Sequence, residues 1–309
     1  MSEPKEISSI LNNRRKILSQ NFFRNDRVVE SFLTQLELDA SDVVIEIGPG
    51  EGVITKQLAS RCAHIIAIEK DAILCEKLRK NFSNVNNISI VCADFLRYDV
   101  RMRNYKIVAN IPFSITSAIV NKIIYSDNPP VKAYLVMQKE AAQKYAGVPR
   151  ESQYSILAKP WFEFSIKKQF KRTDFTPVPG VDAVLLSVDR RINALVDKED
   201  ELLYRSFIKY GFGSWKKNLK TAFRDVFSNI QFRTLAKNLA FSIDATPTEL
   251  TLEQWLGLFN FFLVGVPNEK RANLLRKDLD VSAPKSQPSG RRSTVGRGAW
   301  HNKTGPSIY

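Results

Sequence analysis

The chain has 309 residues, 44% of them hydrophobic, which is enough for one large domain or two ordinary ones and excludes a wholly disordered chain. Its 46 Lys and Arg outnumber 32 Asp and Glu, and the formal charge of +14 points to a polyanionic partner such as RNA, DNA or an anionic membrane surface. No apolar run approaches the roughly 18 residues of a membrane span, and Met1–Lys5 lacks the apolar core of a signal peptide.

Cys62, Cys75 and Cys92 show no Cys-x-x-Cys spacing, and the chain has 2 histidines. A structural zinc site is not expected, and the reading is a cytoplasmic protein with reduced, mostly buried thiols and no metal.

Between about Ser41 and Arg191 apolar runs alternate with helical patterns. Strands are expected at Val43–Ile47, His64–Glu69, Ile88–Cys92, Lys106–Asn110, Val131–Met137, Phe162–Phe170 and Ala183–Val188. Helices are expected at Val53–Ala59, Ala72–Asn81, Ile115–Tyr125 and Glu140–Ala146. This alternation predicts βαβ units in an α/β, Rossmann-like, largely parallel sheet, with an antiparallel hairpin from the last two strands.

After Arg190-Arg191 only helical periodicity remains, at Glu201–Tyr210, Trp215–Phe227, Phe232–Leu239 and Leu252–Leu263. Thr251 and Gln254 fit a capping box at the start of the last of these. The expected division is a catalytic domain over 1–192, a small all-α domain over 193–268 and a basic disordered tail over 269–309. From Ser282 onward the tail is rich in Ser, Gly and Pro, and it carries Lys285, Arg291, Arg292, Arg297 and Lys303 without an acidic residue. Such a segment cannot bury a core; it is either a solvated tail or an RNA-binding arm.

The first strand runs into Gly48-Pro49-Gly50-Glu51-Gly52 and then a helix. The first βα turn of a doubly wound sheet is a nucleotide site, and glycines let the backbone approach a ligand. The dinucleotide pattern requires a third glycine at position 53, which is Val53; glycines at 48, 50 and 52 look like a methyltransferase turn instead. Glu69 ends the second strand 19 residues beyond Gly50, where a carboxylate can accept from both ribose hydroxyls. Asp94 ends the third strand, where it can accept from an adenine amine.

Asn110-Ile111-Pro112-Phe113 ends the fourth strand. An adenine N6 is a poor nucleophile because its lone pair is delocalised into the ring. Two acceptors aimed at its hydrogens draw it towards a tetrahedral geometry. The Asn110 amide oxygen is one, and a main-chain carbonyl in the Ile111-Pro112 turn is the other, held by the fixed φ of proline. Phe113 offers a face for the target base, worth about 1–3 kcal/mol.

These motifs, in this order, resemble the rRNA adenine N6-methyltransferases, which include the erythromycin-resistance methylases of 23S rRNA and the housekeeping dimethylases of small-subunit rRNA. The resemblance runs from about Leu18 to Val264. It implies S-adenosyl-L-methionine as cofactor, bound by Asn21, Phe23, Gly48, Gly50, Glu69, Asp94 and Asn110. Asn21 lies in Ser19-Gln20-Asn21-Phe22-Phe23, which looks like the family's N-terminal motif. Phe175-Thr176-Pro177-Val178-Pro179 resembles its later loop, so Phe175 is expected to face Phe113 across an extruded adenine. Asn-Ile-Pro resembles the resistance branch, whereas small-subunit enzymes usually read Asn-Leu-Pro-Tyr. Phe113 departs from the commoner Tyr of both; the stack is kept and a hydroxyl is lost. Gln138–Ala142, Ser155–Trp161 and the basic tail look like the longer resistance enzymes.

The resemblance therefore implies a monomer that methylates 23S rRNA away from any membrane and confers macrolide-lincosamide-streptogramin B resistance. Two alternatives stay open: a 16S rRNA adenine dimethyltransferase acting in ribosome assembly, and a non-catalytic RNA-binding assembly or transcription factor. A DNA adenine methyltransferase is disfavoured by Ile111, which interrupts the usual Pro-Pro-aromatic motif, and a dehydrogenase by the glycine spacing. Basic runs at Arg14-Arg15-Lys16, Lys167-Lys168, Lys171-Arg172, Lys216-Lys217 and Lys220 are candidate phosphate contacts.

Overall fold

A computed structural model describes residues 22–213 and 218–282. Arg14-Arg15-Lys16, Asn21, Lys216-Lys217 and the tail beyond 282 lie outside the described residues.

Nine strands are described, β1 to β9 in chain order: Phe22–Phe23, Val43–Ile47, His64–Glu69, Ile88–Cys92, Tyr105–Asn110, Lys132–Gln138, Phe162–Gln169, Phe175–Thr176 and Ala183–Arg190. Seven form one sheet in the order β4-β3-β2-β5-β6-β9-β7. The first five of these run parallel, and β9 lies antiparallel to both neighbours, β6 and β7. The expected Rossmann-like sheet and its antiparallel closing hairpin are both present. The central strands are continuous apolar runs because helices cover both faces. Ile45, Ile107 and Leu135 belong to the core on one face; Val44, Val108 and Val136 belong to the core on the other.

The chain moves outward through β2, β3 and β4, then crosses back to β5 on the other side of β2. The carboxyl ends of β2 and β5 therefore diverge at a topological switch point, where the crevice of an open α/β sheet lies. Register pairs Ile47 with both Ile68 and Ala109, so Gly48, Glu69 and Asn110 emerge at one edge.

The helices Val53–Leu58, Ala72–Asn81, Thr116–Ile124 and Lys139–Ala146 follow β2, β3, β5 and β6. A short helix at Gln153–Ala158 was not expected; it starts on a Ser152–Ser155 capping box.

The small all-α C-terminal domain has a core of its own, built on Tyr204, Phe207, Phe223, Trp255, Phe259 and Phe262. Its helices are Glu201–Phe212, Leu219–Ala222, Asn229–Asn238, Leu252–Gly265 and Asn268–Ser282. The Thr251–Gln254 capping box forms as expected.

Two expectations are corrected. Of the helix expected over Trp215–Phe227, the described part is helical only at Leu219–Ala222. The chain then turns, with Val226 and Phe227 N–H donating to the Phe223 carbonyl, and this turn buries the apolar residues that spacing had suggested for a helix. The segment from 269 to 282, expected as tail, is helix; Leu274 is buried in the helical core while the neighbouring charged residues mask the pattern.

Arg205 joins the two parts. Its guanidinium lies 4.1 Å from the Tyr125 ring centroid and 4.9 Å from the Trp161 ring, and both Nε and Nη2 donate to Glu201 Oε1. A planar cation suits this double stack, and lysine does not match it. Arg205→Ala is expected to lower unfolding free energy by on the order of 1–2 kcal/mol, with Arg205→Lys recovering only part; chemical denaturation measures both.

Candidate active site and cofactor cleft

The turn after β2 carries Gly48, Gly50 and Gly52 with φ of +66°, +60° and +84°, which side chains rarely adopt. A Cβ added at Gly48 would meet nothing within 4 Å, so this backbone faces open cleft. A Cβ at Gly50 would fall 2.6 Å from the Phe22 ring, so the turn is roofed by a side chain that the sequence reading did not single out.

Glu69 is 3% exposed. Its Oε2 accepts from Gly50 N–H at 3.1 Å, and its Oε1 accepts from Lys70 and Asp71 N–H at 2.8 and 2.9 Å. These amides replace water around a buried carboxyl group and bind the end of β3 to the glycine turn. A carboxylate has about four acceptor sites and these amides take three, so about one lone pair remains for a hydroxyl donor. Asp94 caps the turn Phe95–Arg97 through Leu96 N–H and pairs with Lys70 at 2.9 Å. The Lys70 ammonium, with Leu96 N–H beside it, holds its carboxyl below the usual value.

Gly48, Glu69, Lys70, Asp94, Pro112 and Ile115 line a cavity of about 420 Å³. A second cleft of about 40 Å³ lies between Phe22, Gly48, Pro49, Asn110 and Pro112. Gly48 and Pro112 line both, so the two open on either side of one turn.

Asn110 is half-buried at the end of β5. The Ile111 side chain is 2% exposed and belongs to the core, with its N–H donated to the Val136 carbonyl. Ile111 therefore contributes backbone rather than side chain. The Pro112 carbonyl accepts from Ile115 N–H at 3.1 Å, which leaves the Ile111 carbonyl as the second acceptor of the turn. Phe113 is half-buried and packs against the core on the β1 side.

Phe175 is a correction. It is 1% exposed, stacked on Phe23 with centroids 5.1 Å apart, and edge-on to Phe170. It is a core aromatic, held there by the β1–β8 pairing, in which Phe23 opposes Phe175. Phe23 is 8% exposed and mostly in the same core, although it borders the smaller cleft. Adjacent strand residues point to opposite faces, so Phe22 takes the cleft side. The expectation of three free thiols is also corrected: Cys75 and Cys92 form a disulfide with Cα atoms 5.8 Å apart. Cys62 is free, its thiol pushed up to about 11 by burial.

Three comparisons now apply. Residues 11–263 match the family model described as ribosomal RNA adenine dimethylase. The chain belongs to that family. An rRNA adenine N-6-methyltransferase of Bacillus licheniformis is 26% identical over 259 residues, covering 82% of this chain and 90% of the relative. A ribosomal RNA small subunit methyltransferase A of Fusobacterium nucleatum is 29% identical over 260 residues, covering 80% and 97%. The crystal structure of the 23S rRNA methyltransferase ErmE superposes with a TM-score of 0.72 at 29% identity, covering 78% of this chain and 98% of that one. The chain is thus an enzyme of the rRNA adenine N6-methyltransferase class, on a methyltransferase fold.

Family membership leaves one residue of β2, just before the turn, unexplained. Glu46 is 1% exposed, and neither of its oxygens has a hydrogen-bond partner among the described residues. Burial pushes its pKa up to about 8, Thr55 offsets this in part, and the nearby Glu69 adds to it. The folded chain therefore holds a proton on Glu46 that the unfolded chain releases near 4.5. Stability from this group is greatest at acidic pH, falls as pH rises from about 4.5 to about 8, and levels off above. Glu46→Gln is expected to flatten that decline by on the order of 1 kcal/mol per pH unit; denaturation midpoints at pH 5, 6.5 and 8 measure it.

Proposed function

We propose that this protein transfers a methyl group from S-adenosyl-L-methionine to the exocyclic N6 of an adenine in 23S rRNA. The observation that carries the reading is the position of Asn110-Ile111-Pro112, at the carboxyl end of β5, beside a cavity lined by Glu69 and Asp94. The residues present fit the cofactor: a glycine backbone open to the cleft, a buried carboxylate with a lone pair to spare, and a second carboxylate lining the same cavity.

The bound cofactor supplies a methyl group already activated by its sulfonium. This chain supplies placement. Glu69 accepts from the ribose hydroxyls and Asp94 from the adenine amine. The Asn110 amide oxygen and the Ile111 carbonyl accept from the two hydrogens of the target amine, which localises its lone pair. The flanking stack falls to Phe113, with Phe22 rather than Phe175 on the cleft side. No strong base is needed, because positioning and preorganised acceptors carry most of the rate.

The 23S target is supported by the Asn-Ile-Pro sequence and by the likeness to ErmE, and with it macrolide-lincosamide-streptogramin B resistance. The Fusobacterium relative, a small-subunit methyltransferase, keeps 16S rRNA as the second reading. Mapping N6-methyladenine in 23S and 16S rRNA, from cells with and without the protein, separates them; a mark on 16S alone overturns the 23S assignment. Asn110→Ala is expected to lower methyl incorporation at least 100-fold with RNA affinity within about two-fold, since one preorganised group is worth about 10²–10³ in rate. Equal loss of binding would remove the catalytic role.

The helical domain and the five basic tail residues are read as RNA-binding. Deleting residues 283–309 is expected to weaken RNA binding and to flatten its salt dependence by at most about 3.5 log units per log unit of salt, without abolishing transfer. A filter-binding series across salt concentrations gives the slope.

A further inference from the structure

Asp94 has two carboxylate oxygens, and in this structure both are engaged. Oδ1 accepts from the Leu96 N–H at 3.0 Å, as the cap of the Phe95–Arg97 turn. Oδ2 is held by the Lys70 ammonium at 2.9 Å. The two partners are unequal. The amide is part of the backbone and cannot leave without unwinding its turn. The Lys70 side chain is 76% exposed and free to swing into water, while Asp94 is 25% exposed. Lys70 also borders the cavity directly, between Glu69 and Asp71.

We propose that Lys70 is a removable counter-ion on the adenine subsite, displaced from Asp94 Oδ2 when the cofactor's 6-amino group docks there. The inference rests on the S-adenosylmethionine reading and concerns a residue to which that reading gives no role. Before docking, Lys70 pairs with the Asp94 carboxylate at the cavity wall. During docking, one charge-assisted hydrogen bond is exchanged for another, so part of the cofactor's binding energy is spent in releasing the lysine. An exposed ion pair is worth about 0.2–1 kcal/mol and is screened by salt. Lys70 therefore lowers affinity for ligands that carry a 6-amino group, and does so most at low ionic strength. A 6-oxo purine presents an acceptor in place of the 6-amino hydrogens, its N1–H lying at a different ring position, and so leaves Lys70 in place.

The test is calorimetric titration of the full chain with S-adenosylhomocysteine, which is free of the sulfonium charge, and with its inosine counterpart. Lys70→Met replaces an exposed side chain by one of similar length, so folding is retained. It is expected to bind S-adenosylhomocysteine about two- to five-fold tighter than the parent in 50 mM salt, the upper part of the range of an exposed pair. The gap should fall below two-fold in 1 M salt, where the Debye length is about 3 Å. The inosine ligand should show no gain. Asp94→Asn serves as the second variant. If Asp94→Asn weakens S-adenosylhomocysteine while Lys70→Met changes nothing at either salt, the counter-ion role is overturned and the adenine subsite stands. If the ligand is indifferent to Asp94→Asn, the adenine subsite itself is wrong and the proposal falls with it. An equal gain for the inosine ligand would also overturn it, because simple charge repulsion would then explain the effect.

Discussion

The Glu69 carboxylate accepts three backbone N–H groups from two different strand ends, and the geometry of the cofactor edge follows from that. A glycine turn with three left-handed residues has many conformations open to it. Anchoring Gly50 N–H to a carboxylate on the next strand selects one of them. The same carboxylate draws in the amides of Lys70 and Asp71, and so fixes where the helix Ala72–Asn81 begins. Glu46 lies nearby with no such donors and remains protonated. Two acids within one small volume thus meet opposite surroundings, one ringed by backbone amides and the other held up by burial.

The sheet then supplies the second half of the site without further machinery. Because β5 pairs with β2 in parallel, Asn110 leaves the sheet at the level of the glycine turn. Ile111 is pinned in the core and Pro112 fixes the next φ, so the acceptor pair is held by packing on one side and ring closure on the other. The helical domain contributes its own aromatic core and is fastened to the sheet through Trp161, Tyr204 and Arg205.

Much of this was legible in the sequence, for physical reasons that also mark the limit. β2, β3 and β4 were read to the residue because each is a short, mainly β-branched apolar run ended by glycine, lysine or a small residue. Glu69, Asp94 and Asn110 were read because they end such runs. The β1–β8 pairing was not legible: two-residue strands have no periodicity, and their partner lies far away in the chain. That gap misassigned Phe175, whose loop motif gives no sign that the ring turns inward onto Phe23. The helix Asn268–Ser282 was missed because Leu274, Leu275 and Leu279 are scattered through a stretch dominated by charged residues and make no clear stripe. The helix expected over Trp215–Phe227 was over-read, since apolar residues three and four apart are buried equally well by a tight turn.

The Phe22–Phe23 strand has a consequence for how the enzyme is made. Its ladder partner, Phe175–Thr176, is translated only after every strand of the sheet except β9. Domains condense as units while the ribosome is still extending the chain, and distant pairings close last. β9, which bridges β6 and β7, follows later still, so the sheet and its aromatic roof are completed within the same last stretch of that domain's synthesis.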